Sequence, residues 1–270
     1  MSNSHASDGS WAVVLCGGMG SRMGAIVESL PKALIPIHGQ PILWYVVQTL
    51  KKNGVRDIVL PLGYKGDQIR DYVNTAFAGQ GLRFHMAETG VETLIAGRMS
   101  QIRDLIPAET NFFLLNSDTI FDFDLREMMG LHLREGALVT LSSVETVSSW
   151  GLIHIKDGAL HSFSRERKVH YVMSNDDPAE RGYINSGIAI LNRKALDFID
   201  LNSPQDFEQN VYTKIIKMGR AALYEIKGNW FAVDTPKDLQ LINQITGQGE
   251  DRGGRVHHIQ ERLANTEAVN

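Results

Sequence analysis

Two aspartates far apart in the chain, Asp118 and Asp234, each close a short apolar run. Residues 111–115 (NFFLL) lead into Asn116-Ser117-Asp118, and residues 230–233 deliver Asp234-Thr235. A carboxylate beyond the carboxyl end of a central strand faces the ligand crevice of an α/β sheet. Capping of the following segment is the alternative for Asp118. Hard oxygen donors of this kind suit Mg²⁺, which takes one or two carboxylates plus substrate phosphates. The phosphates have an expected seat near the start of the chain. There an apolar run, residues 11–15, precedes Gly17, Gly18 and Gly20, with Arg22 in the same loop and Lys32 after Pro31. Bare amide N–H groups and two cations after a strand describe a polyphosphate cradle; a tight turn is the plainer alternative. Met23 stands where a dinucleotide fingerprint needs its third glycine, and no Gly-Lys-Ser/Thr closes the loop as in a P-loop. Together these residues suggest substitution at phosphorus. Arg22 would hold the outer phosphates, Lys32 would reach the phosphorus under attack, and Mg²⁺ on Asp118 and Asp234 would offset the developing charge. An acceptor that is itself a phosphate needs no covalent nucleophile, so positioning and electrostatics suffice.

The elements that must carry these residues read as alternating strands and helices. Strands are expected at residues 11–15, 57–62 and 82–86, with helices at 41–54 and 67–77 between them. That alternation is the pattern of a doubly wound, mostly parallel sheet flanked by helices. Residues 88–104 begin as a polar turn and become helical near Thr93. Gly97-Arg98 lies inside that pattern, through close approach of another group or through helix packing. Further strands are expected at 111–115, 137–145, 183–191, 221–226 and 230–233, and helices at 194–199, 207–218 and from Pro236 to 245. Residues 150–155 and 159–163 read as an antiparallel hairpin turning at Asp157-Gly158, a smaller β element suited to a second substrate. Residues 164–170 (SRERKVH) are densely charged, either as a solvated loop or as a source of cations for a second phosphate. Residues 1–10 are expected to be disordered, 11–246 to form the domain, and 247–270 to be a loosely held polar tail, with a short helix over 252–263 as the alternative.

Composition narrows the setting. With 270 residues, 43% hydrophobic, the chain can bury a full core. A net charge of -4 and a pI near 6.1 offer no general attraction to nucleic acid or anionic membrane. The single cysteine, Cys16, cannot form an internal disulfide and sits where a packed small side chain is expected. No apolar run has the length of a membrane helix, and the first ten residues lack a signal-peptide core, so a cytoplasmic protein is expected. There is no internal repeat and no Cys/His zinc spacing.

The motif Leu15-Cys-Gly-Gly-Met-Gly-Ser-Arg22 followed by Leu30-Pro-Lys32-Ala-Leu-Ile-Pro36 resembles the signature of the sugar-1-phosphate nucleotidylyltransferases. The resemblance runs from Trp11 to Asn243 and includes Asp118 and Trp230-x-x-Val-Asp234-Thr. Gly63-Tyr-Lys-Gly66, Glu88-Thr-Gly90 and Gly97-Arg98 look most like the glucose-1-phosphate cytidylyltransferase branch. It implies a glycosyltransferase-A-like, Rossmann-like fold and a reaction of nucleoside triphosphate with sugar 1-phosphate, giving NDP-sugar and pyrophosphate. It implies that Leu15, Cys16, Gly17, Gly18, Gly20, Ser21, Glu88, Thr89, Gly90, Thr93 and Ser117 lie against the nucleotide. Gly151 and Asn185 would lie against the acceptor. A homo-oligomer is compatible with it.

Two departures bear on substrate choice. Where the family has Phe-x-Glu-Lys-Pro, this chain has Phe163-Ser-Arg165-Glu166-Arg167-Lys168, so Arg165, Glu166 and Lys168 are the acceptor-site candidates. That leaves room for an unusual sugar, a cyclitol phosphate or phosphocholine. Asn116-Ser117-Asp118 replaces the Tyr-Gly-Asp common in the cytidylyl branch, leaving guanylyl, uridylyl and thymidylyl transfer open beside cytidylyl transfer. Two other classes compete. A non-catalytic nucleotide sensor would be expected to lose Arg22, Lys32 or an aspartate, and all four are present. An NAD(P)-dependent oxidoreductase is opposed by Met23 and the strand-end aspartates.

Overall fold

The computed structural model describes residues 10–147, 152–156, 158–164, 168–169, 171–173, 181–244 and 252–265. The first apolar run is strand β1 (Trp11–Leu15), followed by helix α1 (Ile42–Lys52), β2 (Asp57–Leu62), α2 (Gly66–Ala76), β3 (Arg83–Glu88) and α3 (Ile95–Ile102). Next come β4 (Asn111–Asn116), β5 (Thr119–Asp122), α4 (Leu125–Arg134), β6 (Val139–Ser143) and β7 (Asn185–Asn192). The chain continues through β8 (Ala221–Glu225), β9 (Asn229–Ala232), α5 (Pro236–Asn243) and α6 (Arg252–Asn265).

Seven of these strands form one sheet in the order β8-β6-β7-β4-β1-β2-β3. All neighbours are parallel except β7, which runs antiparallel to both β4 and β6. The expected mostly parallel sheet is therefore present, with one reversed strand near its middle. Successive side chains of a strand point to opposite faces, and here they feed two cores. Ala12, Val14, Ile58, Leu60, Phe113 and Leu115 face α1, α2, α4 and α6, while Val13, Val59, Phe112 and Leu114 face α3 and residues 207–215. Helices on both faces explain why β2 and β4 are apolar along nearly their whole length.

The antiparallel hairpin is present as Leu152–Lys156 paired with Ala159–Ser164. Four features differ from the reading of the sequence. The strand and helix at 119–134 went unread; β5 is only four residues long, too short for a periodic signal. Strand β9 lies outside the main sheet and pairs antiparallel with β5 as a separate ribbon. The helix expected over 194–199 is a 3₁₀ turn, and the one over 207–218 opens with a π turn at Glu208–Tyr212. The polar terminal stretch, expected as a loose tail, contains α6, whose Val256, Ile259 and Leu263 are buried in the core. Three apolar residues on one face of an otherwise charged helix suffice to dock it, and composition alone hides them. No helix among the described residues is long and apolar enough to cross a membrane.

Candidate active site

Strand β1 ends at Leu15, and the glycine loop begins where the parallel strands present their carboxyl ends. Gly17 is forced by close approach: a Cβ there would fall 2.2 Å from Arg98 Nη1. Gly20 adopts φ +65 and would crowd Lys32 at 3.0 Å, so the loop turns where a side chain would be strained and obstructed. A 3₁₀ turn, Ser21–Met23, then buries Met23 and leaves Arg22 exposed. A second 3₁₀ turn, Lys32–Leu34, buries Ala33 and Leu34 and aims Lys32 inward, leaving its side chain 12% exposed.

The two aspartates meet through the β5–β9 ribbon. Asp118 directly precedes β5, and Ala232 at the end of β9 pairs with Thr119. The Val233 amide donates to the Asp118 carbonyl at 3.0 Å, placing Asp234 next to Asp118. Asp234 is then fixed from its other side. Thr235 caps α5 in a reciprocal capping box with Asp238, and Pro236 occupies the first turn. The Asp238 carboxylate also accepts from the Asp234 amide at 3.3 Å.

Lys32 Nζ lies between the carboxylates, 2.6 Å from Asp118 Oδ2 and 2.8 Å from Asp234 Oδ1. Arg22 Nη1 adds a contact of 3.3 Å to Asp234 Oδ2. Two carboxylates converging on one cation form a hard-oxygen donor pair, and that chemistry fits Mg²⁺ completed by substrate phosphates. Among the described residues, no group of three or more His, Cys, Asp or Glu side chains adds to the pair.

Beside this cluster opens a cavity of about 530 Å³, within the range of small-molecule sites. Leu15, Cys16, Gly17, Gly18, Gly20 and Ser21 line it from the glycine loop, with Arg22 and Lys32. Thr93, Ser117 and Asp118 complete the part of its wall foreseen from sequence. The Cys16 thiol is buried and pushed up to about 12 by burial, the nearby Arg98 charge acting the other way, so it is a packed thiol at neutral pH.

Three residues expected against the nucleotide are not among those lining this cavity. Glu88 pairs with Arg70 on the surface. Thr89 is buried and donates its hydroxyl to the Leu62 carbonyl at 2.7 Å, and Gly90 turns the chain at φ +87. At the acceptor end, Asn185 is exposed and donates to Glu208 Oε1 at 3.4 Å. Burial and the charge of Asp206 raise the Glu208 carboxyl above its usual range, the Asn185 hydrogen bond opposing them. Lys168 belongs to a short strand, Lys168–Val169, paired with Thr146–Val147. Gly151, Arg165 and Glu166 lie outside the described residues.

Sequence reasoning missed Asn116 and the apolar rim of Met19, Val91, Leu94 and Ile95. It also left Arg98 without a role. Gly97 turns out to be a packing glycine, since a Cβ there would fall 2.7 Å from Thr93 Cγ2.

Comparison with known proteins decides the class. The model of the nucleotidyl transferase family matches residues 11–248. The chain belongs to that family, and the transferase is an enzyme of that type. One relative is the "probable glucose-1-phosphate cytidylyltransferase" of Bacillus subtilis, 32% identical over 88% of this chain and 97% of its own. Another is the catalytic subunit beta of mannose-1-phosphate guanylyltransferase from Xenopus tropicalis, 29% identical over 84% of this chain and 62% of its own. Among solved structures, HddC from Yersinia pseudotuberculosis, complexed with GMP-PN, shares the fold. Its TM-score is 0.61 at 24% identity, over 87% of this chain and 96% of that one.

Proposed function

We propose that the transferase joins a nucleoside monophosphate, from CTP in first place, to a sugar 1-phosphate or related phosphorylated acceptor and releases pyrophosphate. The observation that carries this reading is the convergence of Lys32, Arg22, Asp118 and Asp234 at the mouth of the glycine-loop cavity. An oxygen of the acceptor phosphate attacks the α-phosphorus, a new P–O bond forms, and the bond to the bridging oxygen of the β-phosphate breaks. Pyrophosphate leaves with that electron pair. Arg22, the exposed cation of the cluster, holds the outer phosphates. Lys32 meets the charge developing on the α-phosphoryl oxygens, a contact worth more in the transition state than in the ground state. Asp118 and Asp234 would hold Mg²⁺, which when bound neutralises phosphate charge during substitution. The backbone amides of Gly17 to Ser21 cradle the phosphates, and the apolar rim of Val91 and Leu94 suits a base. Asn185, Lys168, Gly151, Arg165 and Glu166 are assigned to the acceptor. The Bacillus subtilis relative favours cytidylyl transfer, and the Xenopus relative keeps guanylyl transfer as the second reading.

The test is a matrix of the four nucleoside triphosphates against hexose 1-phosphates, heptose and cyclitol phosphates and phosphocholine, read as Mg²⁺-dependent pyrophosphate release. CTP with a hexose 1-phosphate is expected to lead. In the productive pair, Asp234→Asn is expected to cut turnover by about a hundredfold or more while leaving the melting curve nearly intact. No pyrophosphate from any pair would refute the reading, and near-normal turnover of the variant would refute the two-carboxylate site.

A further inference from the structure

Arg98 is the most heavily engaged cation of the described core and takes no part in the chemistry above. It sits on α3 at 4% exposure. Its guanidinium donates to the Gly17 carbonyl at 3.0 Å, the Val91 carbonyl at 3.1 Å, the Leu62 carbonyl at 3.3 Å and Thr89 Oγ1 at 2.5 Å. These acceptors belong to three separate segments: the glycine loop after β1, the end of β2, and the turn after β3. Two glycines make room for the group. A Cβ at Gly17 would fall 2.2 Å from Nη1, and one at Gly63 would fall 2.7 Å from it. All four acceptors are neutral, and among the described residues Arg98 forms no ion pair.

A buried charge without a counter-ion is costly and is retained where something compensates it. Arg98 lines the same cavity as the phosphate-cradling loop, to whose Gly17 carbonyl it donates. Bound polyphosphate would bring the missing negative charge. The planar fork presents its N–H donors from separate nitrogens in fixed directions and so reaches acceptors on three segments at once, whereas the three donors of a lysine ammonium radiate from a single atom.

We propose that Arg98 is the positioning residue of the nucleotide half-site: it locks the glycine loop to residues 89–91 and lends that cradle a buried positive charge. The inference rests on the reading of the cavity as a nucleotide site. It separates nucleotide affinity from chemistry, because Arg98 touches neither carboxylate. Full-length Arg98→Lys is expected to raise the nucleotide KM, and the Kd for CTP measured calorimetrically without acceptor, by about tenfold or more, as loss of a charge-assisted hydrogen bond implies. kcat at saturating nucleotide and the acceptor KM should stay within about threefold of wild type. Arg98→Ala should regain part of its CTP affinity when free guanidinium is added at millimolar levels. Thr89→Val, which keeps the cation and removes one acceptor, should give a smaller rise in the same KM, and it carries the test if the Arg98 variants do not fold. Unchanged CTP affinity in Arg98→Lys or in Thr89→Val, where wild type binds CTP, would overturn this inference alone. So would a fall in kcat at constant nucleotide KM. Failure of wild type to bind any nucleoside triphosphate would overturn the nucleotide site itself.

Discussion

Lys32 holds a double position, close enough to serve a phosphoryl group in the cavity and already bonded to both carboxylates assigned to the metal. Its ammonium balances two facing negative charges, with Arg22 adding a screened, exposed contact. A divalent cation entering alone must therefore compete with a covalently tethered one. Lys32→Met is expected to lose about a hundredfold or more in turnover, yet to gain a larger rise in melting temperature with MgCl₂ alone than wild type does. An equal or smaller MgCl₂ shift in the variant would show that the ammonium does not compete for the carboxylates. Residue types singled out Lys32, Arg22 and both aspartates, cations beside glycines and carboxylates at strand ends, and the structure brings the four side chains together. The joint grip of Lys32 on both aspartates was not legible, since it depends on a ribbon with no strong sequence signal. Arg98 was harder still: its partners are mainly backbone carbonyls, which every residue carries.

The elements that position the site are anchored from the opposite end of the sheet. There Asp57 opens β2 with its side chain 5% exposed, gripped by two guanidinium nitrogens of Arg83 and by His85 Nε2 at 3.0 Å. His85 in turn stacks on Trp11 at a centroid distance of 4.9 Å, so the starts of β1, β2 and β3 are tied side by side. Burial alone would raise the Asp57 carboxyl, but the hydrogen bonds and charges of Arg83 and His85 outweigh it and hold the group below the usual carboxylate range. A carboxyl depressed in the folded state stabilises the fold above its unfolded value of 3.8 and loses that contribution as pH falls through its folded value. Asp57→Asn should therefore melt below wild type at pH 7, with the gap narrowing as pH drops below about 4. A gap independent of pH would show that the ionised form contributes nothing. Central strands such as β2 and β4 were legible because burial on both faces makes them continuously apolar. Strand β5 was not, because it is too short for periodicity to show, and the docking of α6 was not, because its three buried apolar residues are diluted by polar ones.

Across the whole molecule, one member of the charged cluster comes from a part of the chain that the cavity does not use. Every residue lining the cavity falls between Leu15 and Asp118, whereas Asp234 arrives on β9 from near the end. Helix α6 reinforces that late arrival: Arg262 pairs with Asp122 on β5, and Gln260 donates to the His38 carbonyl at 3.1 Å. Alternation of strands and helices was enough to anticipate the sheet, but not the return of the distant segment onto β5, because strand partners over such a separation leave no local trace. That return has a consequence for the order of folding. Pairing β9 with β5 closes a long loop of chain, and contacts of high sequence separation are slow to form. After dilution from denaturant, CTP binding should recover in an earlier kinetic phase than pyrophosphate release. Recovery of both in a single phase would mean that the two halves assemble together. Between the two phases the chain would hold its nucleotide and lack its second carboxylate, a species that binds substrate and does not turn it over.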